Sequence, residues 1–302
     1  MNVSKLALAH AAMFAVALFY AINYFISQFV FQSISPFALL AFRSITAIVV
    51  FVSFSLFFKV FRFPNKKDLP RLLFCALTGI TINQIFFLWG LKLTLAINSA
   101  ILMVCSPIFV FLIAWFVKAS DEKFTPYKVI GLCLSSIGAV LLITHGKKVS
   151  FGENTVLGDI MTLINALSYS VYLVFVKPLV NKYSMFNLFA WIFIFGGSIN
   201  ILLGLPAVFA TDWSVQAPEL FLGIVYVCIF ATVLAYSLNA WAMRYVPASY
   251  VGIYVYSQPA LVTFFSLFLD QKAIYAEKVL YILLIFVGVF LTTNKIKLAT
   301  KA

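Results

Sequence analysis

The sequence predicts an all-α, polytopic membrane protein: ten transmembrane helices arranged as two five-helix repeats of inverted topology, residues 1–150 and 151–302. Three observations carry that prediction. Of 302 residues, 64% are apolar, 10% are charged and 34 are Phe, a balance foreign to water-soluble domains. Apolar runs of about 20 residues, enough to cross a ~30 Å hydrocarbon core at ~1.5 Å per residue, recur along the whole length. The chain also matches itself at nearly constant offsets. At 152 residues, WGLKLTLA (89–96) lies on WAMRYVPA (241–248), and Pro107 lies on Pro259. After a two-residue gap, YKVIGLCLSSIGAVLL (127–142) lies on EKVLYILLIFVGVFLT (277–292), pairing Gly138 with Gly288; upstream, at 149, ALFY (17–20) lies on ALSY (166–169).

Each half therefore holds five spans. Five is odd, so the second copy enters the bilayer from the opposite side, the arrangement from which many secondary transporters build a site near the midplane between copies.

The spans follow in order. The first, 6–31, is too long for a signal peptide, has no small-residue cleavage site and carries only Lys5 ahead of it, so it reads as a retained helix. Tyr20 and Asn23 project from it. The second, 36–58, opens at Pro36 and contains Arg43, the one basic residue well inside a span. Arg43 either snorkels to the surface or sits in the bundle and attracts a substrate carboxylate. The third, 70–91, presents Gln84 and Phe87 on one face. In the fourth, 94–117, Asn98, Leu102 and Ser106 share a stripe three to four residues apart, a candidate cavity wall. The fifth, 126–145, carries Gly138 at mid-span.

The second half echoes the first. The sixth span, 157–180, places Asn165, Tyr169 and Tyr172 along one side; the seventh covers 184–209; the eighth, 218–243, carries Tyr236 and Asn239, the mates of Gln84 and Phe87. In the ninth, 247–269, Tyr250, Tyr254 and Gln258 are the mates of the Asn98, Leu102 and Ser106 stripe, and the tenth, 278–294, has Gly288 at mid-span. Polar tips thus recur at equivalent depths in both halves, either as a shared binding cavity or as interhelical hydrogen-bond glue.

Of ten prolines, only Pro107 and Pro259 fall mid-span, and they are mates. Each removes one backbone bond and is expected to leave the carbonyl four residues earlier, at Met103 or Val255, short of its usual donor. In lipid that is costly, whereas beside a wet cavity it is satisfied.

Charge sets the orientation. With the N-terminus in the cytoplasm, fifteen of the 21 Lys and Arg lie inside, and only Lys92, Lys147, Lys148, Lys272 and Lys278 lie outside. The net charge of +12 is therefore distributed as in a membrane protein rather than gathered for nucleic acid, and both termini are expected to be cytoplasmic. All nine carboxylates fall in loops or near span ends. Ion-driven carriers commonly keep one in the pathway, so uniport or exchange is the simpler expectation. With His10 and His145 both near span ends, neither a Ser/His pair nor a His-rich metal site assembles in the core; no catalytic residue, metal or cofactor is expected. The four cysteines lie inside spans without C-x-x-C spacing and read as packing residues.

The stretches ALSYSVYLVFVKP (166–178) and SPFALLAFRSITA (35–47), with the Ser-Pro and Gln-Pro helices each followed by a helix with a mid-span Gly, resemble EamA-type members of the drug/metabolite transporter superfamily. That resemblance implies ten helices in an inverted repeat. It implies a central cavity formed mainly by the first, third, fourth, sixth, eighth and ninth helices, and export or exchange of a small metabolite such as an amino acid. The family's Gly-Glu after the fourth and ninth helices is altered here to Asp121-Glu122 and Asp270-Gln271. The expected partners are a small-molecule substrate and the lipid bilayer, and the expected compartment is a bacterial cytoplasmic (inner) membrane. A flippase or carrier of a lipid or lipid-linked metabolite is the alternative.

Overall fold

The structure is a computed structural model and describes residues 3–94, 99, 102–118, 125–144, 153–258, 260–261, 264–265 and 276–293. Every regular element among these is helical: α1 (Val3–Val30), α2 (Pro36–Phe57), α3 (Leu69–Leu93), α4 (Cys105–Phe116), α5 (Pro126–Thr144), α6 (Glu153–Lys182), α7 (Met185–Phe209), α8 (Pro218–Met243), α9 (Ala248–Tyr254) and α10 (Ala276–Thr293). Six of them, α1, α2, α3, α6, α7 and α8, are long and apolar enough to cross a membrane, and shorter apolar stretches form α4, α5 and α10. Large apolar side chains point outward, with Phe209 82% and Leu202 72% exposed, a surface suited to acyl chains rather than water.

Local chemistry starts and stops these helices. Ser35 caps α2, its hydroxyl accepting from the Phe37 N–H at 3.3 Å, and Pro36 occupies the first helical position, where a missing N–H has no intrahelical partner. Pro218 opens α8 in the same way. Packing then pairs elements across the two halves: α2 lies along α7, α5 along α10 and α4 against α9, while α3 packs on α6 and α8 on α1. Phe51 of α2 fills the first seam, its ring 5.2 Å from Phe189 and 5.7 Å from Phe193. At the α5–α10 seam, a Cβ on Gly138 would stand 2.9 Å from the Tyr281 carbonyl oxygen, and one on Gly288 2.5 Å from that of Gly131. These two close approaches are each other's counterparts at an offset of 150 residues.

Two features escaped the sequence. A π-helical turn interrupts α3 at Leu77–Ile82 and another interrupts α8 at Ile229–Leu234, again 152 residues apart. A π turn shifts the backbone ladder by one residue and releases carbonyls to other donors. Here the Thr78 carbonyl accepts from Ser168 Oγ at 2.5 Å and the Gly79 carbonyl from the Tyr236 hydroxyl at 2.8 Å. Gly79 also lets α3 press against the ring of Tyr172, whose Cγ would lie 2.5 Å from a Cβ at that position.

The fourth and ninth runs depart from the expected continuous spans. The helix breaks at a turn on Val104 in one and on Val255 and Tyr256 in the other, with Val104 and Tyr256 offset by 152. Pro107 is consequently the third residue of α4, inside the first turn, where its missing N–H breaks no intrahelical bond. Nor is the Val255 carbonyl left bare, because the ladder tightens to i→i+3 spacing and Gln258 N–H donates to it at 3.0 Å. Pro259 and Asn98 lie outside the described residues.

One end of the bundle gathers charge. Lys182 bonds Asp68, whose carboxylate also accepts from the Tyr183 hydroxyl at 2.5 Å; the Arg62 N–H donates to Asn187, and an Arg244 Nη donates to the Tyr183 carbonyl at 3.0 Å. Lys177 donates to the Met243 carbonyl at 2.6 Å and to that of Val246, capping the end of α8, where a cation meets the negative pole of the helix. The connections α2–α3, α6–α7 and α8–α9 therefore share one end, which the charge pattern places on one side.

Candidate functional site

Asn23 of α1, Gln84 of α3, Asn165 of α6 and Asn239 of α8 are buried, while apolar side chains such as Phe29, Phe74, Leu167 and Leu222 of the same helices are exposed. Between them lies a partly open cavity lined by Tyr20, Asn23, Tyr24, Arg43, Asn83, Gln84, Phe87, Met103, Asn165, Tyr169, Tyr236, Val255 and Gln258. Both halves contribute, and three positional pairs stand among the lining residues: Tyr20 with Tyr169 at an offset of 149, and Gln84 with Tyr236 and Met103 with Val255 at 152. The second pair touches: Gln84 Nε2 donates to the Tyr236 oxygen at 3.5 Å, while Tyr20 and Tyr169 both line the cavity. Met103 and Val255 sit at the breaks of the fourth and ninth runs.

A second, smaller cavity shares Tyr20, Tyr169, Val255 and Gln258 with the first and continues toward Met13, Asn239, Val251 and Tyr254. On α1, Met13 precedes Tyr20 and Asn23 follows it, so the smaller space lies toward the N-terminal end of that helix and the larger one away from it. The four shared residues form the wall between them. Further toward the same end, His10 Nδ1 and the Tyr254 hydroxyl are 2.9 Å apart, and the His10 ring centroid is 6.0 Å from that of Tyr250.

Of the residues expected from sequence, Tyr20, Asn23, Gln84, Tyr169, Tyr236, Gln258 and Arg43 line the larger cavity, and Asn239 and Tyr254 line the smaller. Asn239 Nδ2 donates to the Tyr169 oxygen at 3.2 Å. Three others stand behind the walls. Tyr172 is buried with its ring 6.1 Å from Tyr169 and 6.0 Å from Tyr236, supporting both. Tyr250 is buried beside His10, and Ser106 is fully buried where its carbonyl accepts from Ser170 Oγ at 3.0 Å. Tyr24 and Asn83 were not expected. Tyr24 stands one turn beyond Tyr20, a spacing that places both on one face, while the Asn83 carbonyl is held by Asn165 Nδ2 at 2.7 Å.

The lining is amides, phenols, apolar side chains and a single guanidinium. Among the described residues no carboxylate lines either cavity, and no group of His, Cys, Asp or Glu is placed to hold a metal. The arrangement offers hydrogen bonds and one positive charge to a molecule of modest size.

A bundle of apolar, membrane-length helices around a central cavity is the architecture of a polytopic membrane protein. The pattern of the EamA-like transporter family matches residues 7–144 and again 156–294, and the chain belongs to that family. It is 30% identical over 221 residues to an uncharacterized transporter of Archaeoglobus fulgidus, covering 73% of this chain and 74% of that one. It is also 30% identical over 197 residues to the uncharacterized transporter YdfC of Bacillus subtilis, covering 65% and 61%. A solved crystal structure superposes with a TM-score of 0.76 over 96% of both chains at 18% identity, a likeness of fold.

Proposed function

We propose that the chain is a ten-helix carrier built from two oppositely inserted five-helix repeats, residues 1–150 and 151–302, that moves a small metabolite, an amino acid or similar amphipathic compound, across the cytoplasmic membrane by alternating access, in export or exchange. The single observation that carries this reading is the shared cavity: its wall contains positional mates from both halves, and one pair of them, Gln84 and Tyr236, is in contact. The π turns and the helix breaks, each repeated at an offset of 152, support the same two-fold relation.

The basic end holding Arg62, Lys182 and Arg244 is the cytoplasmic one, with both termini on that side. In this frame the larger cavity faces outward and the smaller one inward, with Tyr20, Tyr169, Val255 and Gln258 as the barrier. The bond between His10 and Tyr254 joins α1 to α9 on the inner side. Breaking it while a barrier forms among the outer residues exposes the same site to the cytoplasm. With no carboxylate on the cavity walls among the described residues, exchange or facilitated movement needs no coupled ion.

Purified protein in liposomes tests the reading. Saturable flux of a labelled amino acid or its 2-hydroxy acid analogue is expected, falling at least about tenfold in Gln84→Leu and Gln258→Leu while both variants stay folded. Unchanged flux in both removes the site, and movement of labelled phospholipid instead of small solutes supports a flippase.

A further inference from the structure

Arg43 is 5% exposed, lies on a membrane-crossing helix and forms part of the larger cavity wall. Its Nε donates to Thr232 Oγ1 at 3.0 Å, and that hydroxyl donates in turn to the Val227 carbonyl at 2.8 Å, across the π turn of α8. The π turn thus fixes the plane of the guanidinium. A guanidinium has five N–H donors, and the remaining four meet no hydrogen-bond partner and no carboxylate among the described residues. Snorkelling is no explanation, because the group is tied inward to α8 rather than outward to a headgroup.

A second observation points to a ligand. Two amides of the same wall, Gln84 and Asn165, are 1% and 2% exposed, and Gln84 Oε1 and Asn165 Oδ1 accept no hydrogen bond. Their amide nitrogens are already spent, on Tyr236 and on the Asn83 carbonyl. The wall therefore presents donors with one positive charge at Arg43, with two unpartnered amide oxygens buried beside the cavity and no carboxylate on its lining among the described residues. Buried charge is tolerated when neutralised, and one guanidinium is neutralised by one anionic group. A zwitterion would leave the loaded cavity with a net positive charge, and an amine would double it.

We propose that the cargo is a small organic monoanion whose carboxylate sits on the free edge of Arg43. This rests on the cavity being the transport site and narrows what that site accepts. Arg is suited to the task because its planar fork meets a carboxylate with two parallel bonds.

The test uses the full chain in detergent and in liposomes with four matched probes: 3-phenyllactate, its amide, phenylalanine and phenethylamine. Phenyllactate should bind at least about tenfold more tightly than its amide, as expected for charge-assisted bonds, and more tightly than the zwitterion or the amine. Arg43→Gln should erase the preference of acid over amide, while Arg43→Lys keeps part of it. Should Arg43→Gln fail to fold, Thr232→Val, which keeps the charge and removes its tether, should lower acid affinity several-fold with the preference retained. In liposomes, uptake of labelled phenyllactate should rise with an inside-positive potential. Equal binding of acid and amide, an acid preference surviving in Arg43→Gln, or no binding of the acid at millimolar concentration overturns the proposal. Transport of phenylalanine with indifference to phenyllactate overturns it as well, yet leaves the carrier reading standing.

Discussion

Gln84 donates through Nε2 to the phenol oxygen of Tyr236, which stands 152 residues further along the chain. The same offset superposes Trp89 on Trp241 and the π turn of α3 on that of α8. In a molecule with a two-fold relation between its halves, equivalent residues touch only where the axis passes. Under the proposed two-fold relation the contact marks the centre of the bundle, and both residues line the larger cavity.

The two partners of that bond are not equal in consequence. The Tyr236 hydroxyl also donates to the Gly79 carbonyl at 2.8 Å, within the π turn. Tyr236→Phe leaves that buried carbonyl without its side-chain donor, a cost of about 1–3 kcal/mol. Gln84→Leu removes a weak bond at 3.5 Å and an oxygen that was already unpaired, so its effect on stability is expected within about 1 kcal/mol. Thermal unfolding in detergent should rank Tyr236→Phe as the more destabilised, while flux should fall in both.

Gly79 is the tightest steric point of the α3–α6 contact. A methyl group there meets the Tyr172 ring at bond-like distance, so Gly79→Ala should destabilise by about 1–3 kcal/mol through overpacking. Adding Tyr172→Ala should recover part of the loss relative to the sum of the two single variants, because it removes the ring that collides. A double-mutant cycle of melting temperatures reads this coupling directly.

The His10–Tyr254 bond joins α1 to α9 beyond the Met13 end of the smaller cavity. In the proposed alternating-access cycle, Tyr254→Phe removes it and, at about 1 kcal/mol for a net hydrogen bond, should shift the equilibrium toward the inward-open form by about fivefold. A cysteine introduced at Val251, on the wall of the smaller cavity, should then react about fivefold faster with a water-soluble thiol reagent than it does with Tyr254 intact.

Asp68 lies in the connection before α3, and the hydrogen bond from Lys182, followed by that from Tyr183, holds its carboxyl below the usual carboxylate range. A carboxylate depressed in the folded state contributes stability that is present above its unfolded pKa and is lost as the pH falls through the folded value. Asp68→Asn should therefore lower the melting temperature slightly at pH 7, and the difference from the unsubstituted protein should vanish below the usual carboxylate range. The pair is at the surface, so high salt should shrink the difference too.

Helix positions were legible in the sequence because the 20-residue hydrophobic length is dictated by the bilayer, and the six long helices fall within a few residues of the expected runs. The cavity wall was legible where two signals coincided, as at Gln84 and Tyr236, each polar within an apolar run and each the other's mate. Ser106 and Tyr172 carry the same signals yet lie behind the wall, since polarity alone does not separate a cavity from an interhelical hydrogen bond. The π turns left no trace, because one extra residue per turn does not disturb hydrophobicity and the residues LTGITI and IFATVL contain no Pro. Their effect follows from tertiary contacts, Gly79 on Tyr172 and Thr232 on Arg43. The breaks near Pro107 and Val255 were expected at the right depth with the wrong backbone outcome, because a helix can restart at a proline or tighten ahead of one.

The central claim, that the two halves insert in opposite directions around one cavity, is tested most directly by parity. Lys66 lies between α2 and α3, and Val215, its counterpart at an offset of 149, lies between α7 and α8; both are exposed. In a background with the four natural cysteines replaced, Lys66→Cys should react with a membrane-impermeant maleimide only from the cytoplasmic face and Val215→Cys only from the opposite face. Labelling of both positions from the same face would contradict the account.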